Sequence, residues 1–319
     1  MSAWHHALAA SLVVACAPIP AAGAAPASAC SSDPGSGVPG PGHDRSFWSG
    51  IAKNRFEVPA GESADALVLE LSALLGSPDP ELRDDFAYSI AAAWIYRDRR
   101  VSEKVLHELL KAWSANLQVG LGGTGSDTLF LRAFSALDLS LLAALDNERP
   151  FLSDEEFTGL LSAVLDYLAG EKDLRAFDVR KGWMHATAHT ADVLKFLGRS
   201  KRLRPADQGR ILGGVAAKLR AAGEVFTHGE NERLAAAVQS LVLRPDADAA
   251  AFTRFLADLA APGEHLWDNG PLVDPVPYAA TQNAKDLLRS LYVRLALRQP
   301  PAAEAARAEI LKTLEKLGT

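Results

Sequence analysis

Residues 102–145, SEKVLHELLKAWSANLQVGLGGTGSDTLFLRAFSALDLSLLAAL, contain the pattern that decides the fold. Ser102 precedes an amphipathic segment that runs to Gln118, an arrangement typical of a helix with an N-cap. A glycine-rich break, Gly120–Gly125, separates it from a more apolar segment over Thr128–Leu145. The stretch predicts two helices joined by a loop, because it has no alternation of β-branched residues that would favour a strand.

The same pattern of two amphipathic segments recurs along the chain. The predicted pairs are Ser63–Leu75 with Glu81–Ile95, Ser102–Gln118 with Thr128–Leu145, Ser153–Gly170 with Gly182–Leu197, Pro205–Ala222 with Asn231–Val242, and Asp248–Leu259 with Tyr278–Leu297, followed by a last helix over Ala302–Leu317. Each second segment carries one conspicuous polar residue, and these residues are Arg83, Arg132, His185, Arg233 and Arg289. They recur about every 50 positions, slightly longer than the HEAT or armadillo period. We therefore expect an all-α fold over residues 44–319, a degenerate HEAT-like α-solenoid of about five helix pairs plus a terminal helix. A compact irregular bundle is the alternative.

Three helix starts have recognisable caps. Ser153 with Glu156, and Thr227 with Glu230, have the spacing of a capping box. Pro205 suits the first turn of a helix. These residues predict where three of the helices begin.

The first 43 residues have a different composition from the rest. Ala7–Ala15 is apolar but too short to span a bilayer, and it resembles the central region of a secretory signal. The sequence Val-Val-Ala-Cys that ends at Cys16 resembles a bacterial lipoprotein box, so residues 1–16 are predicted to be a signal peptide with lipidation at Cys16. Residues 17–43 consist mostly of Ala, Pro, Gly and Ser, which predicts a disordered tether. The protein is thus expected to be exported and anchored at the cell envelope. Cleavage after Ala27–Ala29, which would give a soluble periplasmic protein, and an untranslocated tail are the alternatives.

The composition limits the kinds of function. The chain has 319 residues, of which 48% are hydrophobic and 23% charged, so it can bury a core. Its 33 basic residues are outnumbered by 39 acidic ones, giving a net charge of −6, which argues against a nucleic-acid partner. Cys16 and Cys30 are the only cysteines, which excludes a thiolate zinc site and a disulfide-stabilised scaffold.

The most suggestive segment for chemistry is KGWMHATAHTAD, residues 181–192. On a helix that begins at Gly182, the side chains of His185, His189 and Asp192 would project from one face. His185 and His189 could then ligate a divalent metal such as zinc, or the three residues could act as acid–base groups. The alternative is a pair of buried, hydrogen-bonded histidines whose tautomer Asp192 fixes. We expect no cofactor, with the metal as the alternative.

Arg132 lies among apolar residues, where an unpaired guanidinium would be costly, so it is expected to have an acidic partner. Asp127, Asp192, Glu230 and Glu232 are the candidates, and the same argument applies to Arg233. The pairs could form a ladder of ion pairs between repeats or a polar groove along the second helices. The residues expected in this groove are Asp127, Arg132, Ser135, Lys181, Trp183, His185, His189, Asp192, Glu230 and Arg233.

The loop Gly120–Gly125 spells GxGxxG, the motif of dinucleotide-binding folds. It follows a predicted helix rather than a strand, and no βαβ unit surrounds it. The loop is therefore interpreted as a flexible connection between two helices.

Three strings resemble a bacterial family of unknown function, domain of unknown function 2785. They are DTLFLRAFS at 127–135, EKDLR at 171–175, and KGW-x-HA-x-AH-x-AD from 181 to 192, the most specific of the three. The resemblance covers roughly Pro80–Val242 and implies a helical fold and a cluster of residues worth testing. It implies no reaction, because the family is uncharacterised.

Together these observations favour a non-catalytic binding or scaffold protein of the cell envelope. Its second helices would line a polar groove for a protein segment or a small ligand. The principal alternative is a metal-dependent or acid–base enzyme, such as a hydrolase, that uses His185, His189 and Asp192. A structural envelope protein without a ligand is a third class.

Overall fold

The computed structural model describes residues 42–268, 270, 273–298 and 301–318 of the chain. These residues form twelve helices and one short β-hairpin. The all-α prediction is therefore confirmed. The predicted signal peptide, Cys16 and nearly all of the predicted tether lie outside the described residues.

The helices follow the predicted pairing, with α3, α5, α7, α9 and α11 as the second members. They are α1 (Arg45–Lys53), α2 (Ala64–Ser72), α3 (residues 81–97), α4 (Glu103–Asn116), α5 (Thr128–Glu148), α6 (Asp154–Gly170), α7 (Ala186–Arg199), α8 (Pro205–Ala221), α9 (Glu230–Val242), α10 (Ala249–Ala260), α11 (Pro275–Ala296) and α12 (Pro301–Lys316). Single 3₁₀ turns follow α2 and α10, at Ala73–Gly76 and Ala261–Gly263. Most of α3 is π-helical, over Glu81–Tyr88 and Ala92–Arg97. Helix α1 is an addition that the sequence analysis did not predict.

The second helices contact one another in chain order. Helix α5 packs against α3 and α7, α7 packs against α9, and α9 packs against α11. The first helices α4, α6, α8 and α10 also contact their neighbours in chain order. Polar side chains on the second helices are thereby brought close to one another although they are far apart in sequence.

Helix α5 lies at the centre of the core. Every residue from Leu129 to Asp146 is buried except Leu131, because apolar side chains surround the helix on all sides. Among the described residues, α5 alone is long and apolar enough to cross a membrane. Some 89% of its most apolar window is buried inside the protein, which is typical of a core helix.

The prediction of a helix from Gly182 is wrong, since α7 begins at Ala186. The preceding residues form an antiparallel hairpin, β1 (Phe177–Asp178) and β2 (Gly182–Trp183). Its turn is stabilised by the Asp178 carboxylate, which accepts hydrogen bonds from two backbone amides of the turn at 2.8 and 2.9 Å. Gly182 has a φ of +73°, and a Cβ there would lie 3.1 Å from Pro80 Cβ, so only glycine suits this position.

Two of the three predicted caps are confirmed. Ser153 and Glu156 form the reciprocal capping box, and Pro205 opens α8. The box predicted at Thr227 is wrong, because Gly229, with a φ of +87°, is the N-cap of α9. Glycine adopts this left-handed conformation without the cost that a side chain would impose.

Candidate functional site

Arg132 has the acidic partner that its apolar surroundings demand, but not one of those expected. Its Nε donates to Glu171 Oε2 at 2.7 Å, and the two side chains are only 1% and 2% exposed. Its NH1 group donates to the carbonyl of Val119 at 2.8 Å and to Thr128 Oγ1 at 3.0 Å. Glu171 follows α6, a first helix, so a search restricted to the second helices could not find it. The pair fastens α5 to the end of α6 inside the protein.

Ser135 is also directed away from the other candidates. It is fully buried, and its Oγ accepts a hydrogen bond from Asn116 Nδ2 at 3.0 Å. The structure therefore does not bring Arg132 or Ser135 into an accessible groove with the remaining candidates.

Asp127 and Lys181 form an ion pair at the edge of the molecule. Lys181 Nζ donates to both carboxylate oxygens at 2.7 Å, and both side chains are about 40% exposed. The contact connects the start of α5 to the hairpin.

Trp183, His185 and Glu230 meet where the hairpin reaches α9. The rings of Trp183 and His185 stack at 4.6 Å with an interplanar angle of 20°. His185 Nε2 donates to the carbonyl of His228 at 2.7 Å, and Glu230 Oε1 lies 3.6 Å from the same nitrogen. Burial lowers the pKa of His185, and the charge of Glu230 opposes that shift. The three side chains form a closed cluster.

The expectation that His185 shares a helix face with His189 and Asp192 is wrong. His185 is the N-cap of α7 and has a left-handed backbone, with a φ of +52°. The rings of His185 and His189 are nevertheless close, with centroids 5.7 Å apart.

His189 is a buried, neutral imidazole. Its Nδ1 donates to the carbonyl of Ala133 at 3.1 Å, and its ring meets Phe134 edge to face at 4.9 Å. Burial, reinforced by the charges of His185 and Arg233, holds its pKa well below the usual range. A backbone carbonyl accepts from one nitrogen of each histidine, so Ala133 and His228 fix the two tautomers. The alternative interpretation had assigned this role to Asp192.

Each of the two histidines has one ring nitrogen without a hydrogen bond to a described residue. Within the part of the chain that the structure describes, no group of three or more His, Cys, Asp and Glu side chains is arranged to hold a metal ion.

Asp192 lies at the start of an accessible polar region. Its carboxylate accepts from Lys195 Nζ at 3.0 Å and from Arg233 NH1, so it connects α7 to α9. Asp192 is 7% exposed, whereas the Arg233 side chain is 36% exposed. This pair, unlike Arg132 and Glu171, reaches the surface.

Tyr88 lies beside this pair and was not predicted. Burial raises the pKa of its phenol, which the charges of Asp138 and Asp192 raise further and that of Arg233 lowers. These charges act on one phenol, so residues of α3, α5, α7 and α9 are close together. The Tyr88 hydroxyl, in a half-buried side chain, makes no hydrogen bond to a described residue.

Asp138 is the second residue that sequence reasoning missed. It is 1% exposed, and its Oδ1 atom is buried without a hydrogen-bond partner among the described residues. Burial holds its pKa well above the usual range, which favours the protonated form of this carboxyl group. The argument that singled out Arg132 would have found Asp138, because it too is an ionisable residue in the apolar sequence of α5.

Asp84 extends the same region toward the hairpin. Its Oδ2 accepts from Arg83 NH2 at 2.7 Å, and the fully buried Arg83 guanidinium stacks on Phe130 and Phe134. Burial raises the pKa of Asp84 to about 6, although the charge of Arg83 opposes the rise. We use the name polar groove for the residues that would line the groove expected from the sequence, namely Asp84, Tyr88, Asp138, His189, Asp192 and Arg233.

A family model described as "Protein of unknown function (DUF2785)" matches residues 117–293, more than half of the chain. The match contains Asp138, His189, Asp192 and Arg233 but begins after Asp84 and Tyr88. It extends beyond Val242, where the sequence resemblance ended, and includes α10 and most of α11. No curated protein and no solved structure matches the chain.

Proposed function

We propose that this chain, which belongs to the DUF2785 family, is a non-catalytic binding protein that holds a protein segment or a small ligand in the polar groove. The observation that carries the proposal is the buried Asp138 oxygen without a hydrogen-bond partner among the described residues. Leaving a buried polar atom unpaired costs about 1–3 kcal/mol, and native proteins rarely do so without a reason. A hydrogen-bond donor from a ligand would remove that cost.

The surroundings of Asp138 suit a polar ligand. The Asp138 carboxyl group accepts hydrogen bonds and in its protonated form, which burial favours, also donates one; the Tyr88 hydroxyl can do both. Asp192 and Arg233 add a charge of each sign at the accessible side. A ligand with amide or hydroxyl groups would be bound by four different helices.

The proposal includes the HEAT-like arrangement of the helix pairs. It is supported by the contacts of the second helices in chain order and by the parallel contacts of the first helices. In such a solenoid each pair buries its apolar surface against its neighbours, and the row of inner helices forms an extended binding surface.

The proposal also places the protein at the cell envelope, anchored through a lipid on Cys16 and a tether over residues 17–43. Lipidation predicts that the protein partitions into a detergent phase and that Cys16→Ala moves it to the aqueous phase. Aqueous partitioning of the wild type would favour the soluble periplasmic alternative.

Native mass spectrometry of protein purified from its own cells, without refolding, tests the binding proposal. The wild type is expected to carry a non-covalent ligand that is absent from the double variant Asp192→Ala/Arg233→Ala. The matched control is Arg220→Ala/Asp258→Ala, which removes an exposed ion pair of 3.7 Å between first helices. Equal ligand occupancy in both double variants, or a wild type of bare protein mass, would contradict the proposal.

The enzyme remains a second candidate, because the same region holds Asp84, whose pKa is raised to about 6, a histidine of lowered pKa and a carboxyl group of raised pKa. Groups in different protonation states at one pH are typical of acid–base sites. A hydrolase of this kind would lose turnover in Asp84→Asn and Asp138→Asn.

The metal-dependent form requires His185 and His189 as ligands. It predicts near one equivalent of a divalent metal, such as zinc, in the purified protein, and loss of that metal in His185→Ala/His189→Ala. Elemental analysis of both proteins separates the metal-dependent from the acid–base form.

A further inference from the structure

Four cationic side chains lie on the second helices, and a fifth directly follows one of these helices. They are Lys195 and Arg199 on α7, Arg233 on α9, Arg294 on α11 and Arg298 just after it. Their helices are joined where they end, because Arg199 Nε donates to Ser240 Oγ at 3.2 Å and Gln239 Nε2 donates to the Arg294 carbonyl at 3.1 Å. We call these five residues the arginine cluster.

The cluster has too few carboxylates for its charge. Asp192 accepts from both Lys195 and Arg233, so one carboxylate serves two cations. No carboxylate within the described ranges forms an ion pair with Arg199, Arg294 or Arg298. The charge of Glu232 also acts on Arg294. Among the described residues, Asp192 is thus the one carboxylate in ion pairs with these five cations.

The side chain of Arg294 is incompletely hydrogen-bonded. Its Nε atom is buried and has no hydrogen-bond partner among the described residues. Burial lowers the pKa of Arg294, and the charges of Arg298 and Arg233 lower it further. The pKa of Arg199 is likewise lowered by burial and then by Arg298 and Arg294. The charges of these arginines therefore oppose one another, and an anion between them would relieve that repulsion.

We propose that the arginine cluster binds a phosphate group, either free or carried by a small molecule or a lipid headgroup. Guanidinium groups match phosphate oxygens in pairs, and a doubly charged anion compensates the excess of cations better than a single carboxylate does. The net charge of the chain is −6, so the rest of the surface repels anions and attraction must come from this cluster. The cluster shares Arg233 with the polar groove, so the inference gives the chemistry of one end of the proposed ligand and rests on that proposed function.

Isothermal titration of the full chain with pyrophosphate, in low-salt buffer, tests the inference. We expect one binding site, weaker binding of inorganic phosphate, and no binding of acetate. Arg298→Gln should weaken the affinity for pyrophosphate at least tenfold, and because Arg298 is exposed the fold is preserved. Arg294→Lys, which keeps the charge but loses the paired donors, should weaken it less than Arg294→Gln does.

The control is Arg254→Gln, which removes an exposed arginine on α10 and should leave the affinity unchanged. Sedimentation with vesicles of phosphatidylcholine, with or without phosphatidic acid, distinguishes a lipid headgroup from a free phosphate. Equal affinity in the wild type and Arg298→Gln, or no binding of any phosphate probe, would overturn the inference. If the phosphate inference fails but the purified protein carries a native ligand that depends on Asp192 and Arg233, the proposed binding function still stands. If the cluster binds phosphate but the purified protein carries no native ligand, the proposed binding function is contradicted and the phosphate inference is not.

Discussion

The buried pair of Arg132 and Glu171 should stabilise the scaffold rather than bind a ligand. Replacing Arg132 with Met leaves a carboxylate that is 2% exposed without its cation, and it removes the donors to Val119 and Thr128. Breaking a buried ion pair on one side costs about 3–5 kcal/mol. We expect Arg132→Met to lower the free energy of unfolding by that amount, and Glu171→Leu, which leaves the buried Arg132 guanidinium without its carboxylate, by a similar amount.

The double variant Arg132→Met/Glu171→Leu should be about as stable as either single variant or more stable. An apolar pair removes both charges at once, although the Val119 carbonyl and the Asp173 amide lose their partners at about 1 kcal/mol each and the buried Lys218 loses the favourable charge of Glu171. The coupling energy between the two sites should therefore be at least about 2 kcal/mol. Urea denaturation followed by circular dichroism measures all four proteins.

The exposed pair of Arg220 and Asp258 supplies the control, because its side chains are 44% and 47% exposed and it should contribute under about 1 kcal/mol. A loss below about 1 kcal/mol in Arg132→Met would refute the reasoning. So would additivity of the two single variants, since it would show that the pair is not coupled.

Three further predictions concern stability. Burial lowers the pKa of Lys218 to about 8, so its charged form destabilises the fold at neutral pH. The free energy of unfolding of the wild type, relative to Lys218→Met, should therefore rise by about 2 kcal/mol from pH 7 to 9.5. Unfolding free energies of the two proteins that change in parallel with pH would contradict this. Burial raises the pKa of Asp84 to about 6, so ionising this carboxyl group destabilises the fold. Relative to Asp84→Asn, the wild type should lose about 1–2 kcal/mol of unfolding free energy as the pH rises from 4 to 7, after allowance for solvent screening. A difference in urea midpoints that stays constant over this pH range would contradict the prediction. Gly182→Ala should destabilise the protein by more than about 1 kcal/mol, because the backbone there is left-handed and the added Cβ would contact Pro80. Gly159→Ala, at an open position of α6, should stabilise it by about 0.5–1 kcal/mol. Shifts of the thermal unfolding temperature in the same direction for both variants would contradict this prediction.

The helix pairs were predictable because apolar periodicity and caps are local properties of the sequence. Ser102, Ser153 and Pro205 mark helix starts through contacts with residues at most three or four positions away. The hairpin before α7 was not predicted, because its strands have only two residues each and its position depends on Gly182 packing against Pro80, about a hundred residues earlier. The left-handed backbone of His185 was likewise not predictable from the pattern of apolar residues.

One contact among the candidate residues agrees with the sequence analysis. Asp192 and Arg233 were expected close together, and the structure pairs them, with the Arg233 side chain 36% exposed. The partner of Arg132 could not be found from sequence, because Glu171 reaches it from the end of a first helix across 39 positions. Tyr88 was missed because a tyrosine on an amphipathic helix has no pattern that separates a groove residue from a core residue.

A crystal structure of the protein purified from its own cells, without refolding, tests most directly whether the polar groove holds a ligand. We predict electron density that is not water within hydrogen-bond distance of Asp138 Oδ1 and in contact with Asp192 or Arg233. A map with only ordered water there, or with the Tyr88 hydroxyl hydrogen-bonded to Asp138, would contradict the proposed binding function.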